Sequence, residues 1–121
     1  MDYTSNFKHI YAQITESKSL YNCSYPIEVI AVSKYQGIEQ IKALHKCGQV
    51  AFGENKVQDL KTKCNALESL HLQWHFIGTL QENKINTLIA LKPALLHSLD
   101  SLKLAYALQK RLESKGQTMR A

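Results

Sequence analysis

An α/β protein of parallel β/α repeats is the fold class predicted by this 121-residue sequence. Three observations point to it. Short apolar runs recur as "IEVIAVS", which is rich in β-branched residues, "QVAFGEN", "QWHFIGT" and "ALLHSLD". Each run is followed by one stretch of helical periodicity, and the units repeat at near-constant spacing. Apolar strands alternating with single helices imply right-handed crossovers and a parallel sheet.

The elements follow in order. Tyr3, Phe7, Ile10, Ile14 and Tyr21 recur at helical spacing and predict an amphipathic N-terminal helix over 3–21, broken by residues 23–26. The first β/α unit, 27–48, sets "IEVIAVS" before a helix carried by Ile38, Ile41, Ala43 and Leu44, with Gly48 as its C-cap. The second, 49–72, sets "QVAFGEN" before a helix marked by Val57, Leu60, Cys64 and Leu67. The third, 73–92, joins "QWHFIGT" to "LQENKINTLIAL", and the fourth, 94–116, joins "ALLHSLD" to a helix stopped by Gly116.

Two architectures accommodate four such units: an open doubly wound sheet, or the first half of a (β/α)8 barrel, which needs eight. Doubly wound nucleotide binders place a glycine-rich phosphate loop after the first strand, and "SKYQGIEQ" is not one. Periodicity leaves both open.

Composition narrows the function classes. The hydrophobic fraction of 45% and charged fraction of 21% are those of an ordinary globular protein. A net charge of +5 favours anionic partners in general. The basic residues are scattered, without the interleaved aromatic and basic pattern of a single-strand binder, so nucleic acid is not an expected partner. Cys23, Cys47 and Cys64 form no CxxC pair and suggest reduced thiols. With no signal-like or membrane-length apolar run, the expected location is the cytoplasm and no membrane partner is expected.

Ligands of parallel α/β folds bind at the carboxyl ends of strands. Here those ends carry Ser33 and Lys34, Glu54 and Asn55, Gly78 and Thr79, and Ser98 and Asp100. Lys34 is the sharpest signal: a partly desolvated amine at a strand end is a nucleophile suited to Schiff-base formation with an aldehyde. The competing reading is a lysine that snorkels into water. Asn55, in "FGEN", both donates and accepts, although Gly and Asn also serve as plain turn formers. His75, in "WHFIG", lies on the strand face opposite Trp74 and Phe76, where a hydrogen-bonded core histidine is the ordinary outcome. His71 and His75 could share a strand face, but no third ligand is near, so no metal site is expected. The stretch "LQENK" reads as a solvated helix start, with Glu82 favoured by the helix dipole.

In order along the chain, "AVSK", "FGEN" with "VQ", "WHFIGTLQENK" and "HSLD" closely resemble the pyridoxal phosphate homeostasis proteins, the YggS and PROSC family. The resemblance implies the first half of a TIM barrel of the alanine racemase N-terminal type. It also implies pyridoxal 5'-phosphate held as a Schiff base on Lys34, with Asn55 and His75 near the ring, and no catalytic residues. Family members are regarded as carriers and regulators of the vitamin B6 pool without an established reaction. Two alternatives stand beside this: a remnant of a racemase-like amino-acid enzyme using the same cofactor, and a basic α/β interaction module without cofactor. Family chains are roughly twice as long, as a barrel requires. The loops after strands seven and eight, where such barrels bind phosphate, would thus lie outside this chain, and its open edges would favour a homodimer.

Overall fold

The computed structural model describes residues 2–121. Its four strands pair in chain order, all parallel: β1 (Ala31–Val32), β2 (Ala51–Glu54), β3 (Gln73–Phe76) and β4 (Leu95–Leu96). Between and around them lie α1 (Tyr3–Leu20), α2 (Ile38–Lys46), α3 (Val57–Ala66), α4 (Ile85–Ala90) and α5 (Leu102–Lys115). A sheet that never reverses its strand order, built with right-handed crossovers, carries its helices on one face. Doubly wound sheets reverse at a switch point. The choice left open by periodicity therefore falls to half a (β/α)8 barrel.

Alternation along the strands separates two faces. Phe52, Trp74, Phe76 and Leu96 pack with Ile41, Leu60, Leu88, Leu104, Leu108 and Leu112 of the helices. Burying each large side chain contributes about 1.5–3 kcal/mol. On the other face Val32, Gly53, His75 and Leu95 form one row across all four strands. In a barrel this row belongs to the interior.

Helix ends follow local chemistry. Asp2 caps α1 by accepting from the Ser5 N–H at 3.1 Å, and Ser101 caps α5 by accepting from the Leu104 N–H at 3.1 Å. Gly48 and Gly116 take positive φ just past α2 and α5. The following N–H groups, of Gln49 and Gln117, close back on Leu44 O and Leu112 O, completing Schellman turns at the two expected stops.

Three expectations are corrected. The first strand spans only Ala31–Val32 rather than 27–33. It is an edge strand, and the carbonyl of Val29 is taken by the Gln49 side-chain amide at 2.7 Å instead of a ladder partner. The third helix opens with a 3-10 turn, Glu82–Lys84, and is α-helical only over Ile85–Ala90. The N-terminal helix turns a different stripe inward. Ile10 and Tyr21 are 47% and 77% exposed, while Tyr3, Phe7, Tyr11 and Ile14 are half-buried. Tyr11 wins that place because its hydroxyl donates to Gln49 Oε1 at 2.9 Å and its ring meets Phe7.

Candidate functional site

The carboxyl ends of β1 and β2 build the site. Lys34 follows β1 in a tight turn closed by the Gln36 N–H on Ser33 O at 3.0 Å. Tyr35, the turn's second central residue, has φ +64°, where glycine or asparagine is usual. Holding a bulky residue there costs on the order of 1–3 kcal/mol, and the neighbouring structure sustains it. Lys34 is exposed rather than partly desolvated as the sequence suggested. Among the described residues its Nζ makes no hydrogen bond or ion pair, and it lies 6.0 Å from the Tyr35 ring centroid. Lys56 Nζ stands 5.8 Å from the same ring.

Asn55 follows β2 on the same rim. Its Oδ1 is buried without a hydrogen-bond partner, and a Cβ on Gly78 would overlap its carbonyl. Glycine at 78 thus lets the ends of β2 and β3 approach closely. The Ser98 hydroxyl, expected at the rim, donates to the Gly78 carbonyl instead. Asn55, Lys56, Thr79, Gln81 and Lys84 line a hollow of about 340 Å³ beside them.

His75 sits below this rim. It is buried within β3, in the row of Gly53 and Leu95, with Nδ1 2.9 Å from His97 Nε2 on β4's extension. Its Nε2 is 3.6 Å from Glu28 Oε1, too far for a hydrogen bond, and has no partner. Burial pushes the His75 pKa down; Glu28 opposes that shift, while His97 and Arg120 add to it. A predominantly neutral ring is the result. His71 does not share its strand: it is an exposed left-handed residue, φ +51°, in the turn before β3.

Two other expected rim residues point elsewhere. Ser33 and Glu54 are 4% and 0% exposed, on the helix side of the sheet. Glu54 Oε2 accepts from Ser33 Oγ at 2.5 Å and from Lys63 Nζ at 2.8 Å. Lys63 was not anticipated. Its signal was a lysine in the apolar stripe of Leu60, Cys64 and Leu67 on α3, the place where a buried charge needs a partner. His97 was missed because only strand register brings it against His75.

Comparison with known proteins settles the family of the chain. No protein-family model matches the chain. Curated pyridoxal phosphate homeostasis proteins do. One from Helicobacter pylori is 50% identical over 121 residues, 100% of this chain and 54% of the relative. One from Aquifex aeolicus is 43% identical over 90 residues, 74% of this chain and 38% of that protein. The chain belongs to the pyridoxal phosphate homeostasis protein family. It spans about half the length of the curated relatives it matches.

Solved structures agree on the fold. PipY of Synechococcus elongatus, described with and without PLP bound, is 33% identical. The form without PLP superposes with a TM-score of 0.72 over 86% of this chain and 49% of its own. A Bifidobacterium adolescentis protein shares the fold at a TM-score of 0.88 and 23% identity, over 97% of this chain and 52% of its own. This homeostasis-family chain thus carries the barrel half that contains the AVSK lysine.

Proposed function

We propose that this chain binds pyridoxal 5'-phosphate covalently through Lys34 and acts in maintaining the cellular pool of that cofactor, without turnover of its own. The observation that carries the reading is the Lys34 amine, exposed at the carboxyl rim of β1 and free of any hydrogen bond or ion pair among the described residues. The cofactor brings an aldehyde, which on condensing with a primary amine exchanges C=O for C=N and releases its oxygen as water with the two amine hydrogens. The residues present fit such a group. Lys34 supplies the amine, and the unpartnered Oδ1 of Asn55 is free to accept from a bound polar group. His75, one row beneath on the same face and held at Nδ1 by His97, would stand near the cofactor.

The names of the relatives support this role, since they describe homeostasis rather than a reaction. A racemase-like enzyme is the alternative, and it would show turnover with an amino acid. No helix among the described residues is long and apolar enough to cross a membrane, and the reading places the chain in the cytoplasm. Val32, 52% exposed in the row of Gly53 and His75, supports a second copy as a partner at that face. Sedimentation at high dilution tests this: a dimer is expected, and a persistent monomer rejects it.

The cofactor reading is tested by visible absorption during titration with pyridoxal phosphate. Growth of a saturable protein-bound band, lost in Lys34→Ala with unchanged far-ultraviolet circular dichroism, is expected. A band that survives the substitution assigns the attachment to another lysine.

A further inference from the structure

Lys63 and Glu54 form an ion pair almost entirely out of water, with side chains 10% and 0% exposed. Two apolar side chains of similar volume would serve stability as well, because desolvation offsets most of the attraction within such a pair. The pair's partners say what else it does. Lys63 Nζ, from α3, donates to Ser33 O at 2.8 Å as well as to Glu54. The Ser33 hydroxyl donates to Glu54 Oε2 at 2.5 Å, with Gly53 O 3.3 Å away. The Ser33 N–H donates to Gly53 O at 3.0 Å, and its carbonyl also accepts the Gln36 N–H that closes the turn. Glu54 Oε1 has no partner, so the carboxylate's bonding is directed at Ser33 and Lys63 alone.

Every polar group of Ser33 is therefore held, and Ser33 is the residue before Lys34. On its other side Lys34 is followed by Tyr35 at φ +64°, a conformation the free chain would not keep. We propose that the buried Lys63–Glu54 pair is a positioning device for Lys34: by clamping Ser33 it fixes the turn from which the amine meets the aldehyde. This rests on the reading of Lys34 as the attachment residue. Lys63 and Glu54 touch no cofactor atom in this role. They act through the backbone, holding the nucleophile in one place rather than on a mobile loop.

Two variants test it. Glu54→Leu/Lys63→Met removes both charges together, leaving no lone buried ion, and Ser33→Ala removes the hydroxyl bond while keeping the pair. In both, amide hydrogen exchange at Gln36 should accelerate. The maximal rate of covalent capture of pyridoxal phosphate should fall by about ten- to a hundredfold, the effect of displacing a reacting group by about an ångström. The half-saturating concentration should stay within about twofold, as when only the reacting geometry is lost. Folded variants with unaltered Gln36 exchange and capture rate would overturn the proposal. If the parent chain captures nothing at Lys34, the reading of that lysine fails, while Gln36 exchange still decides whether the clamp exists. If the double variant does not fold, Ser33→Ala decides.

Discussion

Phe52, Phe76 and Leu96 are each 1% exposed or less on the helix-covered side of the sheet, whereas on the concave side of the same strands Val32 is 52% exposed and His75 carries an unpartnered nitrogen. One face is a finished core, filled from α2 to α5. The other presents a histidine pair, a row interrupted by Gly53, and apolar residues without cover. The contrast teaches that the chain's folding free energy comes from the side away from the candidate site. The concave side is thereby free to hold an open amine, a neutral histidine and the unpartnered Asn55 Oδ1. The Lys63–Glu54 clamp is the link between them, since it stands on the core side and governs a residue of the rim.

The largest expected effect breaks the comparison on its closed side. Phe76→Ala should cost about 3–5 kcal/mol in urea denaturation, while Val32→Ala on the concave side should stay below about 1 kcal/mol. Equal losses would mean that the concave face is also packed in solution.

Next comes acid. His75 binds its proton less readily in the folded protein than in the unfolded chain, because burial outweighs the help from Glu28. Its contribution to stability is therefore complete above the ordinary histidine value of 6.5 and is lost as pH falls below that value. The groups around it are Glu28 before β1, His97 beyond β4 and Arg120 of the C-terminal segment, whose carbonyl also accepts the Leu96 N–H at 2.9 Å. Urea midpoints should fall from about pH 8 to about pH 5, and His75→Gln should flatten that fall. An unchanged slope in the variant would remove His75 from the account.

The smallest effect lies at Cys64 on α3, whose thiol pKa burial, aided by Glu54, pushes up to about 11. Alkylation near pH 8 should be slowest at Cys64 among the three cysteines, since the thiolate is the nucleophile. Cys64 reacting as fast as Cys23 would show the helix side to be open.

Much of this was legible in the sequence, for reasons tied to particular residues. Period-2 alternation in "WHFIG" placed Trp74 and Phe76 opposite His75, and glycines at 48 and 116 marked helix ends, because these are local rules. The motifs pointed to the family, which the relatives bear out. Register and direction were not legible. Ser33 and Glu54 are expected at the rim, but both are bound on the helix side by Lys63 of α3, 30 residues from Ser33. In the N-terminal helix the choice between Ile10 and Tyr11 depended on Gln49, a partner 38 residues from Tyr11. Long-range partners decided each of these cases.

The most direct test is borohydride reduction of the chain after incubation with pyridoxal phosphate, followed by peptide mass mapping. The label is expected on the peptide containing Lys34 alone, because its amine is free and held by the Ser33 turn. Label distributed over exposed lysines such as Lys56 and Lys84, with no preference for Lys34, would contradict the assignment of the carboxyl rim of β1 as the cofactor site.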